Sequence, residues 1–72
     1  MFEMIPIVSE RVGEIGYDPD TATVYVRFAK DGRGWSYKNV PPDVWEQFLT
    51  SESKGRFIHQ TLDGYEHGPA DI

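Results

Sequence analysis

Residues 22–28, Ala-Thr-Val-Tyr-Val-Arg-Phe, decide how the chain folds. Val24, Val26 and Phe28 alternate with Thr23, Tyr25 and Arg27, a period of two built from β-branched and aromatic side chains. That is a strand with one apolar face. After it, Ala29–Gly34 contains Asp31-Gly32, a hairpin signal. Trp35–Val40 returns as a strand, with Trp35 and Tyr37 on one face and Ser36 and Lys38 on the other. Before it, Asp18-Pro19-Asp20-Thr21 reads as a turn, with Pro19 presetting φ and Asp18 able to bond the turn backbone. Arg11–Tyr17 reads as an irregular strand, because Val12 falls out of phase with Ile15 and Tyr17. Gly13 and Gly16 permit a bulge that reconciles them. Met4–Val8 is apolar but holds Pro6, which fits an edge strand or an extended arm.

Downstream the period changes to helical. Pro42 suits a first helical turn and Asp43 its positive end. Val44, Trp45, Phe48 and Leu49 form one apolar stripe, with Glu46 and Gln47 facing out and an end near Thr50. Phe57, Ile58, Thr61 and Leu62 repeat the spacing, which predicts a second short helix from about Ser53 to Gly64. Neither helix is long enough to stand alone in water, so both must dock on the sheet. The expected fold is α+β: a three- or four-stranded antiparallel meander covered on one face by two short helices. Residues 1–65 form a single domain, and residues 66–72, with Gly68 and Pro69, read as a flexible tail.

Length and composition exclude several classes. Seventy-two residues allow one small domain, above the rough floor of about 40 residues for unaided folding. Hydrophobic residues make up 39% and charged residues 26%, which separates the chain from disordered compositions. The absence of cysteine excludes a disulfide framework and a zinc-thiolate module. No run of about 18 apolar residues could span a bilayer. The start carries Glu3 and Pro6 rather than a basic, apolar leader, which points to the cytoplasm. A net charge of −5 argues against strong non-specific nucleic-acid binding. The charge is uneven: every basic residue except Arg11 lies between Arg27 and Arg56, while both ends of the chain are acidic.

The ordered signals resemble the KTSC domain, a module named for its place at the C-terminus of some lysyl-tRNA synthetases and also free-standing in bacteria and phages. The matching pieces run from Ser9 to Tyr65. They include Val12, Ile15-Gly16-Tyr17-Asp18, Val24-x-Val26-x-Phe28, Trp35-Ser36-Tyr37 and Asn39-Val40-Pro41. Further along come Trp45, Phe48-Leu49, Ser53-Lys54-Gly55-Arg56-Phe57, Leu62 and Tyr65. Trp35 stands where the family usually has Tyr. Asp63 stands where the family tends to place a basic residue, which weakens the case for nucleic acid. The resemblance implies a small α+β fold, no known catalytic activity, and a suggested RNA-binding role that rests on association with the synthetase.

Two candidate sites follow from residue chemistry. In the first, Tyr25 presents a ring on the polar side of its strand beside Arg27, and Arg33 and Lys38 add charge for phosphates. Trp35 and Tyr37 could also stack bases, but two aromatics on the face the helices must cover read more simply as core. In the second, Ser53 caps the second helix while Lys54, Gly55 and Arg56 form its first turn, a convergence suited to an anion. A structural cap with close helix packing at Gly55 explains the same residues. His59, Asp63, Glu66 and His67 lie close in sequence but lack the spacing of a metal site. No nucleophile stands beside a base, and the expectation is no catalytic activity and no cofactor. The expected function is an interaction module binding RNA or another phosphate-bearing partner. The alternative is a protein–protein adaptor, phage-encoded and acting on a host protein in the host cytoplasm. Self-association through the edge near Ile5–Val8 is a third reading.

Overall fold

Chain order is also sheet order in the computed structural model, which describes residues 2–72. Five antiparallel strands lie side by side: β1 (Met4–Pro6), β2 (Val12–Asp18), β3 (Thr23–Phe28), β4 (Gly34–Lys38) and β5 (Glu66–Pro69). Two helices, α1 (Pro42–Thr50) and α2 (Lys54–Gln60), and a 3₁₀ turn over Leu62–Gly64 intervene between β4 and β5.

The register sorts side chains onto two faces. Ile15 pairs with Val26 and Tyr17 with Val24, while Val26 pairs with Trp35 and Val24 with Tyr37. This row is the floor of the core. The register shifts between Val12 and Glu14, so a bulge at Gly13 brings Val12 opposite Phe28 and onto the same face. Val12, Ile15, Val24, Val26, Val40, Phe48 and Leu62 are fully buried, and Tyr37 and Ile58 nearly so. Val44, Trp45, Leu49 and Phe57 complete the helical stripes at the edge of this core. Phe48 holds the helices together: its ring centroid lies 5.3 Å from Phe57 and 6.0 Å from Trp45.

Local signals act as their chemistry requires. Asp18 Oδ1 accepts the Asp20 N–H at 3.0 Å and closes the β2–β3 turn. Gly32, with φ +71°, takes the left-handed position in the β3–β4 hairpin, where its N–H donates to the Phe28 carbonyl at 2.9 Å. Pro42 opens α1 after Pro41 as the cap residue.

Two expectations are corrected. The sheet has five strands, not three or four. The added strand is β5, in the segment read as a tail: Tyr37 pairs with His67 and Lys38 with Glu66, and Ala70 N–H donates to Gly34 O at 3.0 Å. The second helix is also shorter than expected. It stops at Gln60, because Thr61 leaves helical geometry (φ −124°, ψ −57°), and the chain turns once more over Leu62–Gly64 before β5.

The sheet face away from the helices is lined at two points by the chain ends. Gly16 is buried beneath residues 2–4: a Cβ there would stand 2.8 Å from Met4 Sδ and 2.9 Å from Glu3 O. Gly34 lies beneath the other end, where a Cβ would collide with Ala70 O and meet Ile72 Cγ1 at 2.6 Å.

Candidate functional site

The residues expected to contact nucleic acid do not form one patch. Tyr25, Arg27 and Lys38 share the sheet face away from the helices, as the strand period requires. Tyr25 is not a free stacking platform, because Phe2 lies parallel to it at 4.5 Å between centroids and 1° between planes. Arg27 is paired, with Nε 2.8 Å from Glu14 Oε1 across β2 and β3. Lys38 is exposed at the far end of β4 and faces Glu66 in register. Arg33 lies in the hairpin before β4, where its carbonyl accepts the Phe28 N–H at 2.9 Å, and it lines a cleft with Phe28 and Trp35 rather than joining the other three.

The expected anion site is also rearranged. Ser53 does cap α2, accepting the Arg56 N–H at 3.3 Å. Lys54, however, is buried and turned back: its Nζ donates to Ser51 O at 2.6 Å. Ser51 is the residue that ends α1, so this ammonium serves the carbonyl end of α1 rather than an external anion. Gly55 has a packing role. A Cβ there would stand 3.1 Å from Arg11 Cδ, so the missing side chain lets Arg11 lie across α2.

That placement of Arg11 creates a site the strand and helix patterns do not reveal. On the helix side, α2 leaves part of the β3–β4 hairpin uncovered. Arg11, Phe28 and Trp35 line a cleft there of about 440 Å³, with Lys30 and Arg33 from the hairpin and Glu10 and Asp31 at its rim. Asp31 Oδ1 accepts the Arg33 N–H at 3.1 Å, which commits this carboxylate to shaping the turn. The same three residues open into a second cleft of about 320 Å³, bounded by Tyr37, Ile58, His59, Asp63 and His67. His59 Nδ1 lies 3.2 Å from Asp63 Oδ2, and His67 Nδ1 lies 2.7 Å from Tyr65 O. The His67 ring tilts against Tyr37 at 5.4 Å and Trp35 at 6.4 Å. Burial and then the Asp63 carboxylate push the Tyr37 phenol up to about 12. Among the described residues, no group of three or more His, Asp or Glu side chains could hold a metal ion.

Trp35 and Tyr37 therefore divide. Tyr37 is core at 2% exposure, whereas Trp35 is only partly buried and floors both clefts. The backbone explains how Arg11 arrives: Ala29 N–H donates to Arg11 O at 2.9 Å, just beyond the bulge, which pins Arg11 beside the hairpin. In the sequence Arg11 is the lone basic residue of an acidic segment, and only the bulge joins it to Lys30 and Arg33.

The chain is similar in sequence and in fold to known proteins. The sequence model of the KTSC domain family matches residues 8–65. A protein of Tsukamurella paurometabola is 38% identical over 56 residues, covering 78% of this chain and 82% of that one. A second relative, described as an uncharacterised protein of Stutzerimonas stutzeri, is 31% identical over 58 residues, covering 81% and 80%. The crystal structure of a KTSC domain protein from Yersinia pestis superposes with a TM-score of 0.89 at 29% identity, covering 99% of this chain and all of that one.

Proposed function

The chain belongs to the KTSC domain family, and from that premise we propose that it is a non-catalytic binding module whose hairpin cleft takes single-stranded RNA. The observation that carries this reading is the partly exposed Trp35 ring beside Phe28, with Arg11, Lys30 and Arg33 around it. An unpaired base has a π-face to lay on such a ring, and its flanking phosphates can meet the three cations. This moves the candidate interface from the outer sheet face to the helix side of the hairpin. Of the residues first expected to bind, only Arg33 lies in it.

The rim carboxylates limit affinity. Glu10 and Asp31 stand beside the three cations, so binding is modest and strongly salt-dependent. The test is titration with oligouridine at about 50 mM salt, followed by Trp35 fluorescence in a Trp45→Phe background that leaves one tryptophan, and repeated at rising salt. Saturable quenching that fades with salt supports the reading. Absence of binding at low salt defeats it.

A further inference from the structure

The other end of the sheet carries a different surface. An open groove of about 700 Å³ runs between β1 and α1, lined by Phe2, Glu3, Ile5, Tyr17, Pro19 and Trp45. Its centre is a pair of parallel rings, Tyr17 and Trp45, with centroids 5.4 Å apart and planes 10° apart. Both are partly buried, and both line the groove. The Tyr17 hydroxyl is engaged, donating to Val40 O at 2.7 Å. The Trp45 indole N–H makes no hydrogen bond with any described residue and is not a buried unpaired group, so this groove residue keeps a donor free for a ligand carbonyl.

Among the described residues, the charged side chains around this groove have one sign. Glu3 lines it, Asp18 precedes Pro19 in the adjoining turn, and Asp43 stands two residues before Trp45 in the first turn of α1. Asp43 is near enough that, after burial, it helps to raise the Tyr17 phenol above its ordinary value. Among the described residues, no Lys or Arg lines the groove.

We propose that this groove binds an extended, proline-rich peptide segment carrying a lysine or arginine. Adjacent aromatic rings with a free indole N–H are what a polyproline II segment needs. Its rings pack on the aromatic ridges, and its carbonyls, which have no internal partners, accept from the indole. The preformed conformation of such a segment keeps the ordering cost low, which suits a shallow groove. The acidic rim selects the basic residue, whose charge can meet Glu3 or lie over the Tyr17–Trp45 pair. The surface is separate from the hairpin cleft and shares no residue with it.

The test is amide and indole chemical-shift titration of the whole chain with a capped decapeptide of prolines around a central arginine. The Trp45 indole N–H should shift saturably, with amides of residues 17–19 following. Replacing the arginine by glutamate, or using the Glu3→Lys variant, should weaken binding about fivefold, the scale of one exposed charge pair. Glu3 is exposed, so the variant should keep its thermal midpoint. A Gly/Ser peptide with the same arginine should not bind measurably. An indole unmoved at about 5 mM peptide, in the range of very weak binding, overturns the proposal. So does equal binding of the glutamate or Gly/Ser peptide. An indole shift that tracks protein concentration without peptide also overturns it, by giving the groove to a second copy of this chain.

Discussion

Tyr17 and Trp45 lie parallel, 5.4 Å apart, and join β2 to α1 across the edge of the core. Trp45 is thus a rim residue with one ring face supported, while Phe48, one turn on, is fully buried. The two should respond differently to truncation.

Phe48→Ala should lose about 3–5 kcal/mol, because a large cavity opens where three aromatic rings meet. Trp45→Ala should lose less, about 2–3 kcal/mol, since part of its surface is already in water. Urea denaturation orders them. A Trp45→Ala variant less stable than Phe48→Ala would place the centre of the core under Trp45 instead.

Alkali should destabilise the fold through Tyr37. Its phenol is raised from the ordinary 10.0 to about 12, by burial first and Asp63 second. Below pH 10 the ring is neutral in both folded and unfolded chains, and its contribution is complete. Between pH 10 and 12 only the unfolded chain ionises, so stability falls by about 2–3 kcal/mol across that window. Tyr37→Phe should flatten the slope while leaving part of it, because the Tyr17 phenol is raised in the same direction. Equilibrium unfolding at stepped pH reads both.

At the hairpin cleft, Arg33→Ala and Lys30→Ala should each weaken oligouridine binding and reduce the salt slope by about one phosphate contact. Arg27→Ala should change neither, because its guanidinium is held by Glu14 on the opposite sheet face. If Arg27→Ala abolishes binding and Arg33→Ala does not, RNA binds the outer face of the sheet.

Lys54→Met should cost about 1–2 kcal/mol. The variant keeps the buried stem but leaves the Ser51 carbonyl at the end of α1 without its cationic donor. Phosphate titration should leave amides 53–56 in place, since that cation faces inward. A fully stable Lys54→Met would show that the contact contributes nothing.

The meander from Val12 to Lys38 and the helix at Pro42 are legible in the sequence because each is encoded locally. A period of two, an Asp-Gly turn and a proline followed by an apolar stripe need no knowledge of distant residues. A bulge is legible too, since Val12 cannot reach the core face without one, but the sequence leaves it open between Gly13 and Gly16, and the register places it at Gly13. β5 is hidden for a physical reason. Its residues, Glu66-His67-Gly68-Pro69, pair on one side only, and the side chain that packs is a histidine leaning on Tyr37. Such an edge carries no apolar alternation. The partners that redirect Tyr25, Arg27 and Lys54 are hidden in another way. Glu14 reaches Arg27 through strand register, Phe2 reaches Tyr25 from the residues ahead of β1, and Ser51 reaches Lys54 across the bend between helices. The cleft around Arg11 depends on all of these at once, through the bulge, the hairpin and the missing Cβ of Gly55.

The agreement between chain order and sheet order bears on how the protein acquires its structure. β1 to β4 each pair with the strand just before or after, so every early contact closes a short loop, and such closures are entropically cheap. One pairing differs: β5 reaches β4 only after both helices have been laid down between them. The four-strand meander can therefore form as a fast local unit, as low contact order favours. β5 then docks as the last cooperative piece, and it should open without the meander. In native-state hydrogen exchange, the amides that bridge β4 and β5 should trade for deuterium through a sub-global opening that leaves Ile15, Val24 and Val26 protected.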